Sequence, residues 1–211
     1  MKNKTKGLFI TLEGIEGAGK STHMDYIAYL LKKSGKKLVL TREPGGTRVG
    51  ENLRTLLLAG NTGVKVSDNT ELLLMFAGRQ QHLDEVIRPA LKAGKTVLCD
   101  RFTDSTYAYQ GGGRKIKYGL INQLVKIVHP DLKPDLTLLF DLPVELGLAR
   151  ANVRGELDSF ESETVNFFRR VRKAYLKIAK ADPERVKIIN SKPDIYTVQK
   201  QIKKILEDKN L

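Results

Sequence analysis

The sequence predicts a doubly wound α/β fold in which a five-stranded parallel sheet is flanked by helices. Short runs rich in Val, Ile, Leu and Phe alternate with longer amphipathic patterns along all 211 residues. Each run is apolar throughout, which is typical of parallel strands buried on both faces. We therefore expect one domain over residues 1–211, with ligands at the carboxyl ends of the strands.

Strands are expected at the apolar runs, and helices where apolar residues recur every three or four positions. Gly35 and Gly94 are expected to follow the ends of two helices, and Asp194 to cap the last helix. The predicted strands are 7–13, 37–42, 95–99, 135–141 and 186–190. The predicted helices are 20–34, 47–59, 70–93, 116–129, 144–153, 161–181 and 194–208.

The first predicted strand leads into a phosphate-binding motif. Residues 14–21 match G-x-x-x-x-G-K-[ST] between a strand and a helix. The glycines let backbone N–H groups wrap around an anion, and the helix start adds the positive end of its dipole. Lys20 can reach the β and γ phosphates, and the Ser21 hydroxyl suits Mg²⁺. The predicted nucleoside triphosphate site consists of Gly14, Ile15, Glu16, Gly17, Ala18, Gly19, Lys20, Ser21 and Thr22.

A second polar cluster follows the predicted strand 95–99. Asp100 can hold Mg²⁺ or one of its waters, and Arg101 can grip a phosphate bidentately. A plain ion pair at the strand end is the alternative. Residues 105–114 then combine hydroxyls, an amide, two phenols and three glycines, which favours a second small ligand but also fits a surface loop.

A small mobile lid is expected at about residues 150–161. Arg150 and Arg154 are four residues apart, so both can lie on one helical face, and Gly155 permits a break. The variable positions of the phosphate loop carry no cation. Charge that develops on a transferring phosphoryl group therefore needs an arginine from elsewhere, and this lid is the candidate donor. A solvated helix face is the alternative.

No residue stands out as a general base. His23, His82 and His129 fall on predicted helices and are interpreted as surface or packing residues. A phosphate acceptor, whose second pKa is about 6, is already an anion at neutral pH and needs no base. The sequence therefore favours a nucleotide acceptor over a nucleoside or a sugar.

The formal net charge of +13 fits either a nucleic-acid surface or a solvated basic exterior around a site for several phosphates. The lysines form no run interleaved with aromatics and Trp is absent, which favours the second reading. No apolar run is long enough to span a membrane, and no secretory signal is visible. Cys99 is the single cysteine and cannot form an internal disulfide. We expect a cytoplasmic protein with a buried thiol and no specific nucleic-acid partner.

From Phe9 to about Leu206 the chain resembles the bacterial thymidylate kinases, which belong to the P-loop nucleoside monophosphate kinases. The resemblance rests on the phosphate loop together with Thr41-Arg-Glu-Pro-Gly-Gly-Thr47, Asp100-Arg-Phe-Thr-Asp-Ser-Thr-Tyr-Ala-Tyr-Gln-Gly-Gly-Gly-Arg114, Arg154-Gly-Glu-Leu-Asp158 and Phe167-Phe-Arg-Arg-Val-Arg-Lys-Ala-Tyr175. It implies transfer of the γ-phosphoryl group of ATP to dTMP, giving dTDP and ADP, a step in dTTP synthesis. It also implies Mg²⁺ as cofactor and a homodimer, for which the apolar faces of helices 70–93 and 116–129 are candidates.

The resemblance also implies catalytic roles. Lys20, Ser21 and the loop backbone would hold ATP with Mg²⁺, and Asp100 would serve the metal. Arg101 would bridge the donor and acceptor phosphates. The implied catalytic residues are Lys20, Arg101, Arg150 and Arg154.

For the acceptor, the resemblance implies that Arg79 reads the carbonyl edge of thymine, Thr106 faces the base and Tyr109 crowds the 2′ position. Glu16 would lie near the sugar and phosphate. The residues implied to bind dTMP are Glu16, Arg42, Met75, Arg79, Arg101, Ser105, Thr106, Tyr109 and Gln110.

Two positions differ from the usual family pattern. Met75 stands four residues before Arg79, where relatives commonly have a stacking Phe, and Phe76 follows it. Ser159 stands where relatives often have a lid Arg. Two alternative functions are a kinase for another nucleotide such as dUMP, and a basic P-loop ATPase associated with nucleic acid.

Overall fold

A parallel sheet of five strands in the order β2-β3-β1-β4-β5 forms the centre of the computed structural model, which describes residues 7–58, 66–152 and 163–211. The strands are β1 (Phe9–Glu13), β2 (Leu38–Arg42), β3 (Thr96–Asp100), β4 (Leu136–Asp141) and β5 (Val186–Asn190). β1 is central, with Ile10 opposite both Leu98 of β3 and Leu136 of β4. The predicted doubly wound α/β fold is confirmed, and the carboxyl ends of β1 and β3 lie side by side.

The helices cover both faces of this sheet. They are α1 (Lys20–Lys33), α2 (Arg48–Leu58), α3 (Asp68–His82), α4 (Arg88–Lys92), α5 (Thr103–Thr106), α6 (Tyr118–Val128), α7 (Val144–Asn152), α8 (Val165–Ala181) and α9 (Ile195–Asp208). A π-helical turn, Leu83–Ile87, joins α3 to α4. The helix predicted at 70–93 is therefore continuous, with one π-helical turn between two α-helical parts. The predicted start of α8 at residue 161 lies outside the described residues.

Helix ends follow the predicted signals. Asp194 caps α9 by accepting a hydrogen bond from the backbone N–H of Thr197 at 3.0 Å. Gly35 and Gly94 follow α1 and α4 with φ values of 82° and 74°, a conformation that glycine adopts without steric cost.

Residues 103–113 are helical, which the sequence did not predict. α5 continues into a π-helical segment, Tyr107–Gly113, that packs against α8. Glycines have low helix propensity, but here they allow close approach: a Cβ on Gly113 would lie 2.4 Å from the Phe167 ring. Tertiary packing therefore overrides propensity, and the alternative of a surface loop is wrong.

The two edge strands are only partly buried, which corrects the expectation that every strand is covered on both faces. Leu40 of β2 is 43% exposed and Ile188 of β5 is 50% exposed. Both strands lie at the margins of the sheet, where α1 contacts β2 and α8 and α9 contact β5 but leave part of each strand exposed.

The core lies on both sides of β1. Ile10 and Leu12 pack among residues of α1, α8 and α9, whereas Phe9 packs with Leu83 and Cys99 on the other face. Burial raises the pKa of the Cys99 thiol well above its usual range, in agreement with the expected buried thiol. Within the described part of the chain, no helix is both long enough and apolar enough to cross a bilayer.

Candidate active site

The phosphate loop connects β1 to α1 through a backbone that requires glycine. Gly14, Gly17 and Gly19 have φ values of 140°, 67° and 92°. A Cβ on Gly17 would lie 1.9 Å from the carbonyl oxygen of Gly147 in α7. The loop therefore packs backbone to backbone on the helix that precedes the expected lid.

Lys20, the first residue of α1, is buried beneath this loop. Its Nζ donates hydrogen bonds to the carbonyl oxygens of Gly14 at 2.9 Å and Ile15 at 3.0 Å. Burial and, to a smaller degree, the nearby Arg101 lower the pKa of Lys20 to about 8. A phosphate bound in the loop would give the Lys20 ammonium a direct anionic partner.

Arg101 follows β3 and crosses to the phosphate loop. Its backbone has a φ of 69°, and its N–H bonds to the carbonyl of Leu12 at 2.9 Å. Nη1 donates to the carbonyl oxygen of Gly14 at 3.0 Å, and Nη2 to Oε1 of Glu16 at 2.9 Å. The guanidinium thus lies beside the loop, as expected for neighbouring parallel strands.

Glu16 also accepts a hydrogen bond from the hydroxyl of Tyr109 at 2.6 Å. The guanidinium carbon of Arg101 lies 4.9 Å from the centre of the Tyr109 ring, a cation–π distance. Glu16, Arg101 and Tyr109 therefore form one connected group on the floor of the site.

A cleft of about 820 Å³, counting the part open to solvent, extends from the phosphate loop towards α3. It brings together many of the residues singled out in the sequence. The cleft is lined by Glu16, Gly17, Ala18, Gly19, Lys20, Ser21, Glu43, Pro44, Arg54, Leu58, Met75, Asp100, Arg101, Ser105 and Tyr109.

The same cleft contains oxygen atoms suited to a hard cation. Ser21 and Asp100 both line it, and Oδ1 of Asp100 is buried with no hydrogen-bond partner among the described residues. No group of three or more acidic, His or Cys ligands occurs in the described ranges. These two residues therefore fit Mg²⁺, which keeps waters and takes phosphate oxygens for its other positions.

Arg79 on α3 is 2% exposed and held by two side chains. Nε donates to Oε2 of Glu43 at 2.8 Å, and Nη2 donates to Oγ1 of Thr106 at 3.0 Å. Nη1 is buried and has no partner among the described residues. These two hydrogen bonds fix the orientation of the guanidinium and leave Nη1 as its unpaired nitrogen within the described ranges.

Gln110 provides the complementary atom. Its Nε2 donates to Oε1 of Glu71 at 2.7 Å, and a carboxylate can only accept. Oε1 of Gln110 must therefore be an acceptor, and it is buried without a partner in the described part of the chain. Gln110 lies four residues after Thr106, the partner of Arg79, on the same helical run.

Met75 and Phe76 point in different directions. Met75 lines the cleft, whereas Phe76 is 2% exposed and packs with Leu72 and Ile121. The methionine therefore faces the cleft at the position where the family resemblance implies a stacking ring, and its neighbour belongs to the core.

Several predicted residues do not line this cleft. Arg79, Thr106 and Gln110 are buried next to it, and Arg42, Arg150 and Arg154 lie farther away or outside the described residues. Arg42 pairs with Glu51 at 2.8 Å in an adjoining depression, and its side chain is 53% exposed. Arg150 donates to the carbonyl oxygens of Ser191 at 2.8 Å and Lys192 at 3.1 Å, beside a second cleft that Thr22 also lines. Arg154, like most of the expected lid at 150–161, lies outside the described residues.

Sequence reasoning missed a buried network behind Arg101. Glu13 accepts hydrogen bonds from Ser105 Oγ at 2.6 Å and the Tyr175 hydroxyl at 3.0 Å. Burial, reinforced by the charge of Asp104, raises the pKa of Glu13 to about 8. A carboxylate inside an apolar strand was the available signal, since such a group needs partners when buried.

Arg54 and Glu43 were also missed as lining residues. Arg54 Nη1 donates to the carbonyl oxygen of Pro44 at 2.9 Å, which brings a second guanidinium to the cleft. Glu43 lay within a motif already singled out, but no role was assigned to it. Glu43 is a charged residue directly after a predicted strand and next to Pro44, and this placement was the signal that it lies at the site.

The three histidines are all buried, so a surface position is wrong and the packing interpretation is confirmed. His23 stacks on Phe140 with ring centres 5.8 Å apart, and burial lowers its pKa. His129 contacts Thr103 Oγ1 at 2.9 Å, and burial lowers its pKa as well. His82 joins Thr41 to Glu43.

The thymidylate kinase family model matches residues 12–202. The chain belongs to the thymidylate kinase family. It is 56% identical to the thymidylate kinase of Pseudomonas syringae pv. tomato over 202 residues, covering 96% of each chain. It is 58% identical to that of Pseudomonas fluorescens Pf0-1 over 196 residues, covering 93% of each.

A solved thymidylate kinase from Ehrlichia chaffeensis has the same fold. The TM-score is 0.76 at 37% sequence identity, and the match covers 96% of this chain and 99% of the other. Membership of the thymidylate kinase family agrees with the phosphate loop and with the cleft that extends from it towards α3.

Proposed function

We propose that this chain, as one domain over residues 1–211, transfers the γ-phosphoryl group of ATP to dTMP, giving ADP and dTDP on the way to dTTP. The choice of base rests on one observation: the donor Nη1 of Arg79 and the acceptor Oε1 of Gln110 are buried without a partner among the described residues, and Arg79 is bonded to Glu43, which lines the cleft, although neither Arg79 nor Gln110 lines it. Thymine presents an acceptor at O4 beside a donor at N3, which matches this pair. Cytosine presents the reverse order, with an amino donor at position 4 beside an acceptor at N3.

The phosphate loop holds the donor. Backbone N–H groups and Lys20 bind the β and γ phosphates, because they form a positively charged cradle at the start of α1. The second cleft, beyond Gly19 and Thr22, takes the base of ATP. The buried, unpartnered atoms His23 Nδ1 and Ser191 Oγ support this placement, since both residues line that cleft.

Ser21 and Asp100 would hold Mg²⁺, which would offset the negative charge of the bound phosphates. The phosphate of dTMP is already an anion at neutral pH, so the acceptor needs no general base. Arg101 orients donor and acceptor phosphates, because its guanidinium is fixed between Gly14 and Glu16. Arg154 is proposed from the sequence as the lid cation, with Arg150 beside the donor.

The acceptor lies between the floor of the site and α3. Met75 contacts the base, and Tyr109 occupies the space that a ribose 2′-hydroxyl would need. Arg54 adds a guanidinium to this side of the cleft. The other residues that we propose to contact dTMP are Glu16, Arg42, Arg79, Arg101, Ser105, Thr106 and Gln110.

A coupled assay of ADP release with dTMP, dUMP, dCMP and UMP tests the proposal. We expect dTMP to be the best substrate, dUMP to follow because it has the same polar edge without the methyl group, and dCMP to be poor. UMP should be rejected because of its 2′-hydroxyl. Turnover of dCMP equal to that of dTMP, or a preference for UMP, would contradict the assignment.

The alternative of a nucleic-acid-associated ATPase predicts ATP hydrolysis that DNA or RNA stimulates, with a steep dependence on salt. The network around Arg101, and the unpartnered Oδ1 of Asp100 in the cleft beside it, favour a small ligand with a metal ion instead. Measuring ADP release with DNA or RNA in place of dTMP separates the two. We expect no stimulation.

We also propose a cytoplasmic homodimer. α3 packs against α2 and α6, and the three helices carry exposed apolar side chains. These are Val49, Leu56, Leu73, Tyr118, Leu120 and Ile127. Light scattering should give twice the mass of one chain, and Ile127→Asp should lower it, whereas Ile195→Asp on α9 should not. A monomeric wild-type protein would contradict the dimer.

A further inference from the structure

His82 is a buried link between α3 and the segment Thr41–Glu43, whose Glu43 lines the cleft. It is the last residue of α3, and its side chain is 0% exposed. Nδ1 lies 3.0 Å from Oε1 of Glu43, and Nε2 lies 2.6 Å from Oγ1 of Thr41. The ring therefore connects the helix that carries Arg79 to the end of β2 and the loop after it.

The direction of the hydrogen bond to Glu43 follows from its partner. The carboxylate of Glu43 can only accept, so Nδ1 of His82 donates to it. Nε2 forms the second hydrogen bond of the ring, to the hydroxyl of Thr41, which can serve as donor or acceptor. Burial alone would raise the pKa of Glu43, but Arg79 and His82 together outweigh it and hold the pKa below its ordinary value.

Glu43 uses one carboxylate oxygen for each neighbour. Oε1 accepts from His82, and Oε2 accepts from Nε of Arg79 at 2.8 Å. The bond from His82 therefore sets the rotation of the carboxylate, which in turn sets the position of the Arg79 guanidinium. Thr106 fixes the other side of that guanidinium at Nη2, so the direction of Nη1 is determined.

The backbone at Gly46 packs directly against the His82 ring and the Thr41 hydroxyl. A Cβ on Gly46 would lie 2.6 Å from Nε2 of His82 and 2.6 Å from Oγ1 of Thr41. An apolar side chain in place of His82 would fill the space but leave Oε1 of Glu43 buried without a donor. A buried carboxylate oxygen that loses its partner moves to find another, and Arg79 must follow.

We propose that His82 is a positioning residue for base recognition, acting through Glu43 to direct the unpartnered donor of Arg79. This inference rests on the proposed function, in which that donor reads O4 of thymine. His82 itself touches neither substrate, so its effect reaches the reaction only through the binding and selection of the acceptor.

Three substitutions separate positioning from packing. His82→Asn places an amide nitrogen near the position of Nδ1 and keeps the donor to Glu43. His82→Gln places its amide near Nε2, and His82→Leu has no polar atom, so both lose that donor. Thr41→Val removes the hydroxyl that orients the ring and is the second route if a His82 variant does not fold.

We expect His82→Leu and His82→Gln to raise the KM for dTMP by roughly tenfold, the usual consequence of losing one hydrogen bond to a charged group. The KM for ATP should not change, and the preference for dTMP over dCMP should fall. His82→Asn should restore both acceptor parameters to within about twofold of wild type. Thr41→Val should shift them in the direction of His82→Leu.

Equal losses in the KM for ATP and dTMP, or a His82→Asn variant no better than His82→Leu, would overturn the positioning role. Wild-type protein that phosphorylates dTMP while all His82 variants keep its KM would sink this inference and leave the proposed function intact. Wild-type protein that does not phosphorylate dTMP would instead refute the proposed function itself.

Discussion

Nη2 of Arg101 and Oε1 of Glu16 lie 2.9 Å apart, although the two residues are separated by 85 positions in the chain. The strand order brings them together, because β3 ends beside β1 and Arg101 turns towards the phosphate loop. The carboxylate of Glu16, at a variable position of the phosphate loop, therefore holds the guanidinium of Arg101, which follows another strand.

Glu16→Gln should lower kcat by at least tenfold, because the amide keeps the shape but loses the charge that holds Arg101. The control is Glu145→Gln, whose partner Arg169 lies on an exposed surface where an ion pair contributes little. Steady-state kinetics with ATP and dTMP measure both. A Glu16→Gln variant with wild-type kcat would mean that Arg101 is held by other contacts.

Lys20 should take up a proton when the nucleotide binds. Its pKa in the free protein is about 8, and a bound phosphate raises it, so uptake should be marked at pH 8.5 and absent near pH 6.5. Calorimetry in two buffers with different ionisation enthalpies measures the number of protons. Equal binding enthalpies in the two buffers at pH 8.5 would contradict this prediction.

The lowered pKa of Lys20 also predicts how the stability of the protein depends on pH. The folded pKa lies below the ordinary value of 10.5, so the unfolded chain binds more protons between pH 8 and 10.5. Through this group, the free energy of unfolding should rise with pH across that window. Lys20→Ala should remove the rise and lower phosphoryl transfer by orders of magnitude with the fold retained.

The two arginines that the sequence assigns to a lid, Arg150 and Arg154, should differ in their effects. Arg150 bonds to two carbonyl oxygens beside the second cleft, so Arg150→Ala should mainly raise the KM for ATP. Arg154→Ala should lower kcat more than it weakens dTMP binding, because a lid cation acts on charge that develops in the transition state. A pure KM effect of Arg154→Ala would mean that it binds only the ground state.

Gly147→Ala and Gly119→Ala should change stability in opposite directions. A Cβ on Gly147 would lie 2.8 Å from the carbonyl oxygen of Glu16, whereas a Cβ on Gly119 meets nothing within 4 Å. We expect a lower melting temperature and a higher KM for ATP for Gly147→Ala. Gly119→Ala should stabilise by about 0.5 kcal/mol, because alanine has the higher helix propensity. Thermal unfolding of both variants measures this.

Met75→Phe and Phe76→Ala should separate binding from folding. A ring at position 75 can lie flat against thymine, so Met75→Phe should lower the KM for dTMP with little change in stability. Phe76→Ala should cost about 3 kcal/mol of unfolding free energy, because it leaves a cavity in the core. An unchanged KM for Met75→Phe would place the base away from this side chain.

The sequence predicted the parts of the site that depend on strand ends. Lys20 and Arg101 follow neighbouring strands of a parallel sheet, so their proximity could be inferred from topology alone. The pairs Glu13 with Tyr175 and Glu43 with His82 could not be inferred, because each forms only when a helix packs against a strand end. The helix at 103–113 was missed because its glycines signal a turn until α8 is in place.

The unpartnered atoms of Arg79 and Gln110 should affect how strongly a bound nucleotide stabilises the fold. A buried polar group that a bound ligand leaves unpaired costs about 1–3 kcal/mol, so on the proposed function a base whose edge does not match these two atoms should bind correspondingly more weakly. Saturating dTMP should accordingly raise the melting temperature more than a nucleotide that lacks the matching edge. Discrimination between bases would then appear in thermal stability as well as in turnover.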